Sequence, residues 1–332
     1  MKWTLPFALE HLRVVSIPMA VRFRGVETRE VALFNGDGLT GWAEWSPFLE
    51  YEPAEAATWL AACIRSTVER PTLLRDRVPV NASLPAVAPE RVQTVLARYG
   101  LWRTVKIKVA ERGQSLEDDV ARVRSVREQH PEARIRIDAN GGWDLDQAER
   151  ALRALSAFDL EYAEQPVAAV DELAQLRRRF DAVPIAADES IRKAADPLRV
   201  AQLGAADVIV VKAQPLGGVR RALEIIAETG LPAVVSSALE TSVGLAEGVQ
   251  LAAALDDLPY DCGLATGALL GADVTYERML PTWDGSAAVL PAILPTVDEH
   301  LVDELAAPRE RQEHWRERLR QAWQHLPADV AD

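Results

Sequence analysis

The chain is poor in cysteine, in histidine at useful positions and in positive charge, and it has no long apolar run. Cys63 and Cys262 are its two cysteines in 332 residues. That is too few for a disulfide scaffold, and their spacing suits no metal site; two reduced, buried thiols in a cytosolic protein are expected. Lysine and arginine number 37 against 50 aspartates and glutamates, a formal net charge of −13. Such a balance argues against a nucleic-acid or anionic-membrane partner. No stretch approaches the ~20 apolar residues of a membrane span. Glu10 and His11 interrupt the N-terminal segment, so no signal peptide is expected and the expected location is the cytoplasm. No G-x-G-x-x-G follows a strand, and there is neither a Walker sequence nor a G-x-S-x-G elbow.

What is present is ordinary for a folded globular protein: 48% apolar and 26% charged residues. The length suits about two domains, or one large α/β barrel with an appendage. From about residue 78 to about 265 a short β-branched run ends in a polar residue, and an amphipathic helix follows. The runs are Val105–Val109, Ile135–Asp138, Leu160–Glu164, Ile185–Asp188, Val208–Lys212 and Ala233–Ser237. Helices are expected at Leu116–Gln129, Leu145–Ala157, Val170–Phe180 and Val219–Thr229, the last capped by Gly230. The steps from Asp138 to Glu164, Asp188, Lys212 and Ser237 are 26, 24, 24 and 25 residues. A constant period of that size is one strand, one helix and two short loops, repeated with parallel strands. Adding a first strand near Val78–Leu84 and a last one near Cys262–Leu264 predicts a (β/α)₈ barrel of the TIM type. A doubly wound sheet would not bring every polar terminus to one mouth.

The flanks differ. Strands are expected at Val14–Val21, Val31–Phe34 and Gly41–Glu44, a turn at Asn35-Gly36-Asp37-Gly38, and helices at Pro53–Thr67 and Pro308–Gln324. They predict a smaller α+β capping domain made from residues 1–77, a barrel over 78–283, and a C-terminal segment, 284–332, packed on the cap. The loop after Val14–Pro18 is brief, so few residues there are expected to reach a substrate.

In such a barrel the C-terminal strand ends form the active-site mouth. Lys106, Lys108, Asp138, Asn140, Glu164, Asp188, Glu189, Lys212, Ser236 and Ser237 stand there. Three carboxylates on consecutive strands repel one another unless a cation lies between them. All-oxygen ligands favour a hard divalent ion, Mg²⁺ first, with Mn²⁺ as the substitute. The competing reading is that these acids cap the following helices, Asp188 above all. Lys106 and Lys108, at i and i+2, point to one face of their strand; their bland reading is that of solvated ends. If buried near a cation they become competent general bases. None of His11, His130, His300, His314 and His325 falls at a strand end, which leaves acid–base work to lysine. Gly217-Gly218 reads as a tight turn or, less simply, a phosphate cradle.

As a set, Lys106-Ile107-Lys108, Asp138-Ala139-Asn140, Glu164-Gln165-Pro166, Asp188-Glu189-Ser190 and Lys212 with Gln214-Pro215 resemble the enolase superfamily, in its muconate-lactonizing subgroup. The resemblance implies that Asp138, Glu164 and Asp188 bind Mg²⁺. It implies Lys108 and Lys212 as the catalytic pair, supported by Lys106, Asn140 and Glu189. Phe23-Arg24-Gly25, Arg29-Glu30, Gly41–Phe48, Glu50-Tyr51 and Ser236–Ser242 are similar to the subgroup's dehydrating members. The implied reaction is loss of water from 2-succinyl-6-hydroxy-2,4-cyclohexadiene-1-carboxylate in menaquinone biosynthesis, with Ser236, Ser237 and Gly263 facing the succinyl arm. Racemisation of N-acylamino acids, dipeptide epimerisation and muconate cycloisomerisation are the alternatives. The implied partner is a small carboxylate; the sequence carries no signature of oligomeric state, and a monomer is compatible with it.

Overall fold

A computed structural model describes residues 3–36, 39, 41–193 and 197–331. The turn expected at Asn35-Gly36-Asp37-Gly38 lies partly outside them. The N-terminal part is an antiparallel sheet of β1 (Leu12–Phe23), β2 (Val26–Phe34) and β3 (Ala43–Trp45), followed by the helix Pro53–Ser66. The helix Arg309–Trp323 from the far end of the chain packs on it. Trp45 and Trp315 meet edge to face at 5.3 Å, inside a core that also holds Phe34, Trp59 and Leu319. Glu30 on β2 ties the two ends together, accepting from Arg311 at 2.7 and 2.8 Å and from Trp315 Nε1 at 2.7 Å. The expected assembly of a cap from both chain ends is thus present.

A short strand, β4 (Arg77–Pro79), leads into seven parallel strands in sequential order: β5 (Ala82–Leu84), β6 (Thr104–Lys108), β7 (Arg134–Asp138), β8 (Leu160–Glu164), β9 (Ile185–Ala187), β10 (Val208–Val211) and β11 (Ala233–Val235). Val, Ile and Ala dominate because both faces are covered, by helices outside and by the barrel interior inside. The expected eighth strand is reduced to two parallel bridges, Val80 with Cys262 and Ser236 with Gly263, which close the ring between its first and seventh strands. The helices stand where their periodicity put them, at Leu116–Gln129, Leu145–Leu155, Val170–Arg179 and Val219–Thr229, the last ended by Gly230 at φ 64°.

The boundary expected at residue 283 needs correction. It cuts a hairpin, β12 (Thr282–Trp283) with β13 (Ala288–Pro291), whose second strand pairs with β4. Ala288 and Leu290 bury in the barrel's core, not the cap's, so the chain leaves the barrel only after this hairpin. The separate candidate strand at Val78–Leu84 is likewise two: β4 serves the hairpin and β5 the barrel. Cys63 and Cys262 are both free and buried. Among the described residues no helix is long and apolar enough to cross a membrane.

Candidate active site

Strand register builds the mouth. Lys108, Asp138 and Glu164 are cross-strand partners on β6, β7 and β8, so their side chains share one row facing the interior. In the row beneath stand Lys106, Arg136 and Tyr162. Asp188 and Lys212 follow β9 and β10 directly. All six acids and lysines are at most 8% exposed, which disposes of the solvated-end reading of Lys106 and Lys108.

Buried charge must be paired, and here every group is. Lys106 Nζ lies 2.9 Å from both Glu164 oxygens and 3.3 Å from Asp138. Lys108 Nζ donates to Asp138 and, at 2.6 Å, to Asn140 Oδ1. Lys212 Nζ donates to Asp188 at 2.6 Å. Asp188 does not act as a helix cap: its side chain makes no capping bond, and its second oxygen takes Arg192 Nε at 3.0 Å. Arg192, which sequence reasoning missed, also reaches Glu189 at 2.6 Å and the Tyr51 hydroxyl at 3.0 Å. The available signal was its i+4 spacing from Asp188 on the same short turn. Gln165, also unassigned, staples two strand ends: it accepts from the Asp188 and Ser190 amides at 3.0 and 3.1 Å and donates to Ser190 Oγ at 2.8 Å.

The two neighbouring lysines diverge. Burial depresses the Lys106 ammonium, but Glu164 and Asp138 more than reverse it, leaving its pKa above the ordinary lysine value. Lys108 is lowered, by burial first and with the Lys106 charge adding to it. Burial would raise Asp188, yet Arg192 and Lys212 bring it down to about 2. One lysine is therefore held charged while its neighbour is prepared to lose a proton, the separation that acid–base chemistry needs.

Lys106, Lys108, Asp138, Asn140, Glu189, Arg192 and Lys212 line a cavity of about 290 Å³, with Glu164 and Asp188 buried behind them. Beside Lys212, and across the mouth from the strands of Asp138 and Glu164, Ser236, Ser237 and Gly263 are brought together. Ser237 Oγ donates to Gly263 O at 2.6 Å and meets Thr266 Oγ1 at 2.8 Å. A Cβ on residue 263 would sit 2.5 Å from Ser236 Oγ and displace that hydroxyl. The cap supplies Phe23, Arg24 and Val26 from the β1–β2 turn, with Phe48, Glu50 and Tyr51. The expectation that the brief loop would contribute little is thus overturned: β1 runs on to Phe23 and carries the turn over the cavity. Strain collects here too. Arg24, Ala110, Asn140, Gln165 and Leu239 have left-handed φ of 40–64°, and all five flank the mouth.

The donor set suits a hard divalent cation: three neighbouring carboxylates, no sulfur and no imidazole. Glu164 is pushed up to about 7, by burial first and then by Asp138, and Glu189 Oε2 is buried without a hydrogen-bond partner. Both mark buried carboxylates whose ionised form a bound cation would favour. As they stand, the acids turn onto ammonium groups, and among the described residues no set of three is arranged to hold a metal.

Residues 14–67 match the enolase N-terminal domain-like family and residues 88–292 the enolase C-terminal domain-like family. The o-succinylbenzoate synthase of Mycolicibacterium smegmatis is 54% identical over 94% of both chains. That of Thermobifida fusca is 53% identical over 95% of this chain and 97% of its own. Among solved structures, muconate lactonizing enzyme from Pseudomonas putida superimposes with a TM-score of 0.73 at 21% identity, covering 89% of this chain and 98% of that one. The L-Ala-D/L-Glu epimerase from Bacillus subtilis gives 0.70 at 22%, covering 86% and 98%; at such identities both speak for the fold alone. With both parts of the chain matched, and relatives above half identity spanning nearly all of it, the chain belongs to the enolase superfamily, in the family of the o-succinylbenzoate synthases.

Proposed function

We propose that the protein catalyses the o-succinylbenzoate synthase reaction, a carbon–oxygen lyase step. Water is eliminated from 2-succinyl-6-hydroxy-2,4-cyclohexadiene-1-carboxylate to leave an aromatic product, as menaquinone biosynthesis in the cytoplasm requires. The observation that carries this reading is the pair of buried lysines, Lys108 and Lys212, at the ends of strands four apart, lining one cavity with Asp138 and backed by Glu164 and Asp188.

Lys108, with its lowered pKa, removes the proton α to the substrate carboxylate. Lys212 stays cationic and faces the negative charge that develops. Lys106 and Asn140 orient Lys108, and Arg192 orients Asp188. The hydroxyl departs as water with the proton that Lys108 took up, which returns Lys108 to its neutral form. Asp138, Glu164 and Asp188 would hold the divalent ion, Mg²⁺ with Mn²⁺ as its substitute, and Glu189 supports them. When bound, the ion supplies Lewis-acid stabilisation of the substrate carboxylate. Charge arithmetic supports an anionic substrate. Six cations, Arg24, Lys106, Lys108, Arg192, Lys193 and Lys212, stand against five acids, Glu50, Asp138, Glu164, Asp188 and Glu189, so a divalent ion would leave the pocket with three positive charges to be met. Ser236, Ser237 and Gly263 face the succinyl arm.

The test is turnover of that substrate, followed by the absorbance of the aromatic product with and without EDTA. No metal-dependent turnover refutes the proposal. A lysine on each side of the cavity also suits epimerisation of N-acylamino acids or dipeptides. Lys212→Arg separates the two: elimination needs the charge and retains measurable rate, whereas epimerisation needs a movable proton and is lost.

A further inference from the structure

The wall of the cavity beside Lys212 includes Ser236–Leu239 of the barrel loop Ser236–Thr241, and the barrel and the cap share the work of holding this loop. Arg29 on β2 is 3% exposed. Its guanidinium spreads across two loops: Nη2 donates to Ser46 O and, at 3.4 Å, to Ala238 O, while Nε donates to Leu239 O at 3.3 Å. It also stacks 4.4 Å above the Phe48 ring, another cavity residue. Leu239 is one of the strained positions, at φ 64°. A non-glycine residue stays in that conformation only where its surroundings hold it.

A second clamp lies beside the first. Glu44 on β3, 2% exposed, accepts from Ser46 Oγ at 2.6 Å, Thr241 Oγ1 at 2.5 Å, Thr241 N at 3.2 Å and Gly244 N at 2.9 Å. The cap's carboxylate thus closes the N-terminus of the barrel helix Ser242–Ala254, just where the loop ends. The approach is so close that a Cβ at residue 244 would sit 2.8 Å from Glu44 Cδ. Glu240 completes the loop from inside, accepting from Ala238 N at 2.5 Å.

We propose that Arg29 is a positioning residue that holds the loop Ser236–Thr241, and so the substrate-facing wall, in its working shape, with Glu44 as the second anchor. Arg29 does not line the cavity; it acts through Ala238 and Leu239, which do. Ser236, Ser237, Ala238 and Leu239 bring no acid or base to the cavity, so Arg29 governs binding and selectivity for the substrate arm that meets this wall rather than proton transfer. The inference rests on the synthase reading for its substrate but not for its geometry.

Arg29→Lys keeps a cation beside Glu44 and Glu240 and loses the planar fork that spans three carbonyls. In the full-length protein, KM for the cyclohexadiene carboxylate rises about 10-fold while kcat stays within about 3-fold. Amide exchange of the Ser236–Thr241 segment speeds up by at least about 10-fold, with β6–β8 unchanged. Glu44→Gln, which keeps the acceptor oxygen for Thr241, shows the same pattern at smaller amplitude. A folded Arg29→Lys protein with wild-type KM and loop exchange overturns the proposal, and so does a kcat loss at constant KM. If the wild type itself fails to turn the substrate over, the synthase reading falls, while the exchange measurement still decides the role of Arg29.

Discussion

The barrel buries charge around its mouth and in its floor, and lysine and arginine divide the work. At the mouth Lys106, Lys108 and Lys212 pair with carboxylates around an open cavity, while Arg192 holds Asp188 from behind. In the floor the cations are Arg136, level with Lys106, and Arg103. Arg136, wholly buried, donates to Asp261 O at 2.6 Å, to Asn81 at 3.0 Å and to Glu161. Its guanidinium lies 4.8 and 5.7 Å from the rings of Tyr162 and Tyr260. Arg103 grips Asp261 with two nitrogens at 2.9 and 2.6 Å, and Thr104 adds a third bond at 2.6 Å. A guanidinium keeps its proton in any protein environment, whereas a lysine shifts readily when buried. Lysine stands where a proton must move; arginine stands where charge must only hold strands together.

That contrast is broken most severely at the mouth. Lys108→Ala is expected to lower kcat by about 10²–10⁴-fold with circular dichroism unchanged. Lys108→Arg should do no better, because a permanent cation cannot accept the proton. Glu164→Gln and Asp188→Asn are next, each lowering the rate by about 100-fold or more and weakening Mg²⁺ activation in titrations. A variant of either that turns over normally removes that residue from the metal site. In the floor the effect changes kind. Arg136→Met should cost about 3 kcal/mol in denaturant unfolding, since it strands buried acceptors, while kcat of the folded fraction stays within about twofold.

The smallest effect comes from a buried charge belonging to neither the mouth nor the floor. Glu247, on the helix Ser242–Ala254, has one oxygen without a hydrogen-bond partner among the described residues. Burial first, then Glu240 and Glu44, push it up to about 8, with Arg70 opposing. A carboxyl raised in the folded state contributes stability that is complete at low pH and is lost as pH rises through that value. Melting temperature should therefore decline between about pH 5 and 9, and Glu247→Gln should flatten the decline. Equal slopes in both proteins would assign the trend elsewhere.

Much of the mouth was legible because chemistry and periodicity coincide there. Asp138, Glu164, Asp188 and Lys212 end strands at an almost constant step, and parallel strands bring their ends to one side whatever the loops do. The eighth strand was only half legible, since two bridging residues leave almost no run of β-branched residues. Arg192 was not assigned although its pairing with Asp188 and Glu189 is local and was open to reading; only its bond to Tyr51 is distant. Gln165 and Arg29 are different: each works across elements distant in the chain, and nothing in local pattern says which carbonyl or amide it will meet. The boundary at residue 283 failed for a related reason: β12 and β13 read as a loose tail until their partner β4 is known.

The cap built from both chain ends has a consequence for how the protein is made. Trp45 is synthesised about 270 residues before Trp315, its core partner. At about 5–20 residues per second, that leaves roughly 15–55 s in which the N-terminal sheet exists without its closing helix. The barrel can form on the ribosome in that interval, but the half-cap waits with apolar surface uncovered. Deleting the chain from Arg309 onward, and with it the closing helix Arg309–Trp323, should therefore show first as poor soluble yield and chaperone retention, before any defect in the chemistry at the mouth.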